Sequence, residues 1–263
     1  MTYSKNDEVP GTTPGVEISD VVERQLLIGR DRELAKIEGI LKHRGPVLVV
    51  VSAPTGTGKS SLLREIQARA NEHGWHTAYR NSEGHLCVTP STTERIFGQW
   101  VLKLLGLSTD EALGPTTAGE TWPNPLHSLL LSLGRQRGVL LIVDGYHPKP
   151  RFEYWFTSDF IGGIKQSKAT VMVVVADQKD NLDKLRPFAD EVISLGPLDR
   201  QAVRRHFESI AQQIAPPMKA DELDAYVGVA REDPGKLAIL SRVLKLAIPA
   251  ARSMSTSDYG EGR

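Results

Sequence analysis

Within nine consecutive residues, Ala53-Pro54-Thr55-Gly56-Thr57-Gly58-Lys59-Ser60-Ser61, the chain sets two glycines beside a lysine and several hydroxyls. The chemistry this supports is the grip of a polyphosphate. Gly56 and Gly58 let successive backbone N–H groups turn toward one anion, and a helix starting at the loop's end adds the positive end of its dipole. Lys59 then reaches the outer phosphates of a nucleotide, and the Ser60 hydroxyl becomes a ligand for Mg2+. A glycine usually opens such a loop. Ala53 holds that place here, a change of one methyl group that the reading treats as a tolerated variant. A guanine site would be expected to bring an Asn-Lys-x-Asp segment, for which Asp177-Gln178-Lys179-Asp180 lacks the Asn, so ATP is favoured over GTP.

A bound magnesium ion needs a carboxylate as well as a hydroxyl, set at the end of a neighbouring buried strand. Asp144, directly after Val139-Leu140-Leu141-Ile142-Val143, fits that place. Gly145 follows it, where an acid that orients the attacking water would be expected; Glu153, His147 and Asp177 are the replacements on offer. The residue types therefore support binding more firmly than turnover.

Positioning this chemistry requires a strand before the loop and a helix after it. Val47-Leu48-Val49-Val50-Val51-Ser52 is the strand, one of five short apolar runs with Thr77-Ala78-Tyr79, residues 139–143, residues 170–176 and Val192-Ile193-Ser194-Leu195. Continuous apolar runs suit strands buried on both faces, so the chain reads as a three-layer αβα fold with a mainly parallel five-stranded sheet. Helical patterns fall at 92–105 and 125–135, with a loop containing Trp122-Pro123-Asn124-Pro125 between them. A further helix is expected from the segment that starts at Leu26, with Asp31 as its cap and Leu34, Ile37, Ile40 and Leu41 on one face. After Pro197 the pattern is helical at 199–214, 220–230 and 234–246. The expected division is a disordered segment 1–20, a nucleotide-binding domain 21–198, a helical lid 199–250 and a disordered tail 251–263.

The 263 residues carry 32 basic and 32 acidic side chains, so no whole-protein field draws the chain to nucleic acid or to an anionic membrane. Arg200, Arg204, Arg205 and His206 make one local basic cluster that could contact phosphates. The single cysteine, Cys87, cannot form an internal disulfide, and no apolar signal region or membrane-length run is present, which makes the cytoplasm the expected compartment.

Together, Ile28-Gly29-Arg30-Asp31-Arg32-Glu33-Leu34, the phosphate loop, Asp144 and the helical tail after Leu195-Gly196-Pro197-Leu198-Asp199 resemble the STAND and AAA-type P-loop ATPases over residues 26–248. The resemblance implies ATP and Mg2+ as ligands, with Ile28, Gly29 and Arg30 against the adenine. It implies that Asp177 and Gln178 stand where a γ-phosphate sensor sits, and that Arg186 stands where an arginine finger for a neighbouring subunit sits. Pro234 and Lys236, in Asp233-Pro234-Gly235-Lys236-Leu237, correspond to lid contacts with the nucleotide. The expected function is an ATP-binding, slowly hydrolysing switch of a bacterial-type signalling or defence system. Its partners would be ATP and ADP, and a separate effector protein or further copies of the chain. A DNA-associated loader or transposition regulator is the alternative, and a small-molecule kinase the third.

Overall fold

The computed structural model describes residues 27–43, 45, 47–79, 86–107, 124–213 and 218–255. At its centre is a sheet of five parallel strands: β1 (Val47–Ser52), β2 (His76–Ala78), β3 (Val139–Asp144), β4 (Val171–Asp177) and β5 (Glu191–Ser194), in the order β2-β3-β4-β1-β5. Because side chains alternate along a strand, each of the three central strands feeds two cores at once. Val49, Val51, Leu140, Ile142, Met172 and Val174 point to one face, where helices α1 (Asp31–His43) and α2 (Lys59–Glu72) cover them with Leu34, Ile37, Leu62 and Ile66. Leu48, Val50, Leu141, Val143, Val173 and Val175 point to the other. There α3 (Glu94–Leu104) and α4 (Asn124–Gln136) pack, followed by a helical run of α5 (Pro150–Tyr154), a π-helical stretch Trp155–Ile161 and α6 (Gly162–Gln166). The layers are those expected, and every strand pairing is parallel.

Phe97 of α3 organises the second face. Its ring meets those of Phe152, Trp155, Phe156 and Phe160 edge-on at centroid separations of 5.5–6.0 Å, each such pair adding about 0.5–1.5 kcal/mol to what burial alone contributes. The sequence analysis did not pick out this helical run, although its four aromatics fall at i, i+3, i+4 and i+8, the spacing of one helix face.

After β4, a short helix α7 (Lys179–Leu182) and a 3-10 turn Arg186–Phe188 lead to β5. Helices α8 (Arg200–Ala211), α9 (Ala220–Glu232) and α10 (Pro234–Ser255) then form a three-helix unit around Val203, Phe207, Ile210, Val227 and Leu237. The Asp199 carboxylate caps α8 by accepting from Ala202 N–H at 2.8 Å. Helix α10 runs to Ser255, past the boundary drawn at 250; residues 1–20, 256–263 and Trp122-Pro123 lie outside the described residues.

Two expectations change. The first helix begins at Asp31, not at Leu26: Leu27 to Arg30 are non-helical, Gly29 has φ +73°, and Arg30, not Asp31, gives its carbonyl to the first helical bond, from Leu34 N–H at 2.9 Å. Asp31 instead lends its charge to the first turn. Asp144, expected beside the loop strand, sits two strands away because β4 is inserted between β1 and β3.

Candidate nucleotide site

The phosphate loop leaves β1 at Ala53 and enters α2 at Lys59. Gly56 and Gly58 have φ of +82° and +84°, the left-handed region that glycine adopts without steric cost, and Gly58 is the N-cap of α2. Ala53 is buried in the core beside Val51, so a methyl in place of the usual glycine is packed and not exposed. Its N–H donates to the Asp177 carbonyl at 3.0 Å. Thr57 closes the loop on itself, its hydroxyl donating to the Pro54 carbonyl at 2.7 Å. Pro54 and Thr55 are exposed, Lys59 and Ser61 half-buried.

Although β4 intervenes, the Ser60 hydroxyl, on the first turn of α2, still donates to Asp144 Oδ2 at 3.0 Å. Tyr79, just past β2, donates its phenol to the same oxygen at 3.2 Å. A hydroxyl and a carboxylate in contact are a hard oxygen donor pair, the set Mg2+ uses alongside phosphate oxygens and water. Among the described residues no group of three His, Cys, Asp or Glu side chains could hold a metal without such help. Tyr79 was absent from the sequence reading, where it counted only as a strand residue.

The tip of β4 reaches both sides of the site. Gln178 donates its side-chain amide to the Thr55 hydroxyl at 3.1 Å, on the phosphate loop itself. Asp177 is differently employed: Oδ2 accepts from Tyr146 N–H and Oδ1 from Gln178 N–H, both at 2.6 Å. Its carboxylate thus holds backbone together, each oxygen already accepting one backbone N–H. Glu153, another replacement base, is ion-paired with Lys184 at 2.7 Å. His147 is exposed.

Gly145 has a physical reason to remain glycine. Its φ is +105°, and a Cβ there would lie 2.7 Å from Cys87 Sγ. The thiol therefore fills the space that a side chain after Asp144 would use. Burial pushes the Cys87 pKa up, and the nearby Asp144 and Asp177 carboxylates push it further, so the thiol stays protonated and poorly nucleophilic.

Arg30 is 3% exposed and ties three elements together. One terminal nitrogen donates to the Thr57 carbonyl at 2.9 Å and to the Gly196 carbonyl at 2.7 Å; the other meets Glu33 at 3.2 Å. These donors go to protein, which makes Arg30 a clamp between the opening segment, the loop and the exit from β5. Ile28 packs on the lid core, and a Cβ at Gly29 would stand 3.2 Å from Asp199 N. The opening segment thus runs between the loop and the lid, the side on which an adenine was expected.

The lid meets the loop through the start of α10. Cβ positions built at Gly56 and Gly58 would lie 3.6 Å from Asp233 Oδ1 and 3.7 Å from Pro234 Cβ. Asp233 accepts from Gly235 N–H at 3.1 Å and faces the Lys236 ammonium at 3.7 Å. Pro234 is thereby brought to the loop, and Lys236 faces Asp233 beside it. Arg186 is not: its Nε, buried and without a hydrogen-bond partner, faces Asp183 at 3.9 Å. It lies on the return toward the start of β5, where Lys165 meets the Phe188 carbonyl and Asp190. In the basic cluster, Arg204 bonds Asp224 at 2.7 Å and Glu208 at 2.9 Å, Arg200 lies 3.8 Å from Asp224, and His206 meets the Ser241 hydroxyl at 2.8 Å.

A parallel sheet with the loop at the end of one inner strand, an acid at the end of another, and a helical unit whose last helix begins against the loop defines a P-loop ATPase fold. The sequence profile of the AAA ATPase domain matches residues 26–183, more than half of the chain, and the chain belongs to that family. No curated protein matches it in sequence. Among solved structures, ORC of Drosophila bound to DNA is similar at a TM-score of 0.53 and 13% identity, over 85% of this chain and 63% of that one. The replication initiator DnaA, bound to AMPPCP and single-stranded DNA, follows at 0.51 and 13%, over 84% and 62%. A STAND protein with a tetratricopeptide repeat sensor from Pyrococcus horikoshii is similar at 0.49 and 17%, over 80% and 29%. The chain spans less than two thirds of the length of each, and at these identities the likeness is one of fold.

Proposed function

We propose that the chain is an ATP-binding switch module that binds MgATP between the nucleotide-binding domain, residues 21–198, and the lid, residues 199–250. The observation that carries this reading is the convergence of four elements on one loop: Ser60 and Asp144 in contact at 3.0 Å, Gln178 on Thr55, and Asp233 and Pro234 over Gly56 and Gly58. Lys59 supplies the mobile positive charge for the outer phosphates, and the Gly56 to Ser61 backbone supplies N–H donors. Ser60 and Asp144 are the residues that would hold Mg2+, which would supply neutralisation of charge on the phosphates. Lys236 exchanges Asp233 for a phosphate when the lid closes, which makes closure depend on the nucleotide's charge.

Slow turnover follows from the same geometry. Asp177 and Glu153 are engaged, and Gly145 carries no side chain, so water is poorly oriented and the bound state is long-lived. A long-lived bound state suits signalling or defence, with a separate effector or further copies of the chain receiving the change in lid position, in the cytoplasm. Among the described residues no helix is long and apolar enough to cross a membrane. A DNA-associated role draws on the likeness to DNA-bound initiators, but Asp224 and Glu208 offset the basic cluster that would favour it.

The test is calorimetry of MgATP with wild type and Lys59→Ala. Tight binding by the wild type and loss of at least roughly tenfold in the variant, about 1.4 kcal/mol, is the expected result. Equal affinity in a folded variant overturns the reading.

A further inference from the structure

Tyr79 stands one place past β2, the edge strand of the sheet; it is 2% exposed and its ring lies in the core beneath α1 and α2. A ring needs no hydroxyl to pack there. A buried phenol must instead find a hydrogen-bond partner or lose the free energy of its hydration. Tyr79 finds Asp144 Oδ2, at 3.2 Å.

Strand geometry makes that reach specific. The pairing of β2 with β3 runs as far as Ala78 and Leu141. The next residue therefore stands beside Ile142, and Asp144 is two residues, about 6.6 Å, further along the same face. Only a long side chain spans that gap.

Asp144 Oδ2 accepts twice, from the Tyr79 hydroxyl and from the Ser60 hydroxyl at 3.0 Å. Two donors on one oxygen restrict the rotation of the carboxylate. They differ in kind, however. Ser60 belongs to the helix that leaves the phosphate loop and is itself a candidate metal ligand, so its contact with Asp144 depends on what the loop holds. Tyr79 is set in the same core as Leu63, Leu140 and Ile142 and supplies a fixed donor.

We propose that Tyr79 is a positioning residue, whose hydroxyl holds the Asp144 carboxylate in the orientation that serves Mg2+ and so sets how strongly the metal tightens ATP binding. The inference rests on the nucleotide reading of the site, and Tyr79 acts in it through Asp144 alone. Hydrogen-bond partners of a ligating carboxylate are worth about 10–100-fold in metal affinity. Asp144 is half-buried, so in Tyr79→Phe water replaces the lost donor, the ring still fills its place and the fold is kept.

The experiment is calorimetry of ATP binding to the full chain in excess EDTA and in excess Mg2+, on wild type, Tyr79→Phe, Asp144→Ala and the double variant, with urea midpoints to check the fold. The readout is the ratio of the two affinities, which a role in packing alone does not move. Wild type should bind ATP more tightly with Mg2+. Tyr79→Phe should match wild type in EDTA and lose roughly tenfold in Mg2+. Added to Asp144→Ala, the same change should leave the ratio where it was. An unchanged ratio in Tyr79→Phe, an equal loss in both conditions, a further fall in the double variant, or a wild-type affinity indifferent to Mg2+ overturns the proposal and leaves ATP binding standing. A wild type that binds ATP in neither condition overturns both.

Discussion

Replacing Arg30 by alanine separates two roles that one residue could have. If Arg30 contacts adenine, its loss weakens ATP binding and leaves the nucleotide-free protein as stable as before. If it is a clamp, the loss appears without nucleotide. The guanidinium donates to two carbonyls, Thr57 at 2.9 Å and Gly196 at 2.7 Å, and bonds from a charged donor contribute about 1.5–3 kcal/mol each. Ordering the long side chain takes back about 2 kcal/mol, leaving roughly 1–4 kcal/mol. At a central value of about 2.5 kcal/mol, and about 2–4 °C per kcal/mol for a domain of this size, the melting temperature should fall by roughly 5–10 °C. Arg30→Lys has one compact ammonium, able to serve one carbonyl, and should recover about half. The assay is thermal unfolding by circular dichroism without nucleotide, with the midpoint in urea as a second measure. A variant melting within about 1 °C of wild type while losing ATP affinity would refute the clamp and restore the adenine contact.

Gly145→Glu, meant to add the missing acid, should lower the melting temperature and leave ATP turnover no higher than wild type, because the side chain meets Cys87 Sγ and its backbone must hold φ +105°; a phosphate-release assay showing a gain would refute this. Arg186→Ala should leave MgATP affinity unchanged and lower turnover, and mixing it with Lys59→Ala should recover activity that neither has alone; an inactive mixture removes the finger role. His206 is held below its ordinary pKa, first by burial and then by Lys245. Its unfolded form therefore binds a proton more readily, so lid stability is full above about pH 6.5 and declines as pH falls below it. Thermal melts should show wild type losing stability relative to His206→Gln across that window, and parallel curves would refute it.

The layers, the loop and the lid were legible because each rests on local pattern: apolar runs of strand length, glycines at fixed offsets, and helical periods after Pro197. What depended on tertiary pairing was not. Nothing in Val171 to Asp177 says that this strand inserts between β1 and β3, since a run buried on both faces fits any inner position of a parallel sheet. Arg30, which the resemblance set against the adenine, gave no sign of its backbone acceptors because Thr57 and Gly196 lie 27 and 166 residues away. Tyr79 and Cys87 were missed for the same reason. The one available signal was Gly145 itself: a glycine in place of an acid invites the question of what fills the space, and the answer was the chain's single thiol.

The inserted strand has a mechanical meaning. Consecutive residues at the tip of β4 hold opposite sides: Gln178 grips Thr55 while Asp177 grips the Tyr146 amide, and Tyr146 packs its ring 5.4 Å from Phe156 in the π-helical stretch. Two adjacent side chains on a rigid rod act as a yoke. The two contacts join the phosphate loop to the aromatic block on the far face of the sheet. The face of the molecule opposite α1 and α2, where exposed Tyr154 adjoins that block, is therefore linked to the loop by a chain of contacts that does not pass through the C-terminal helices.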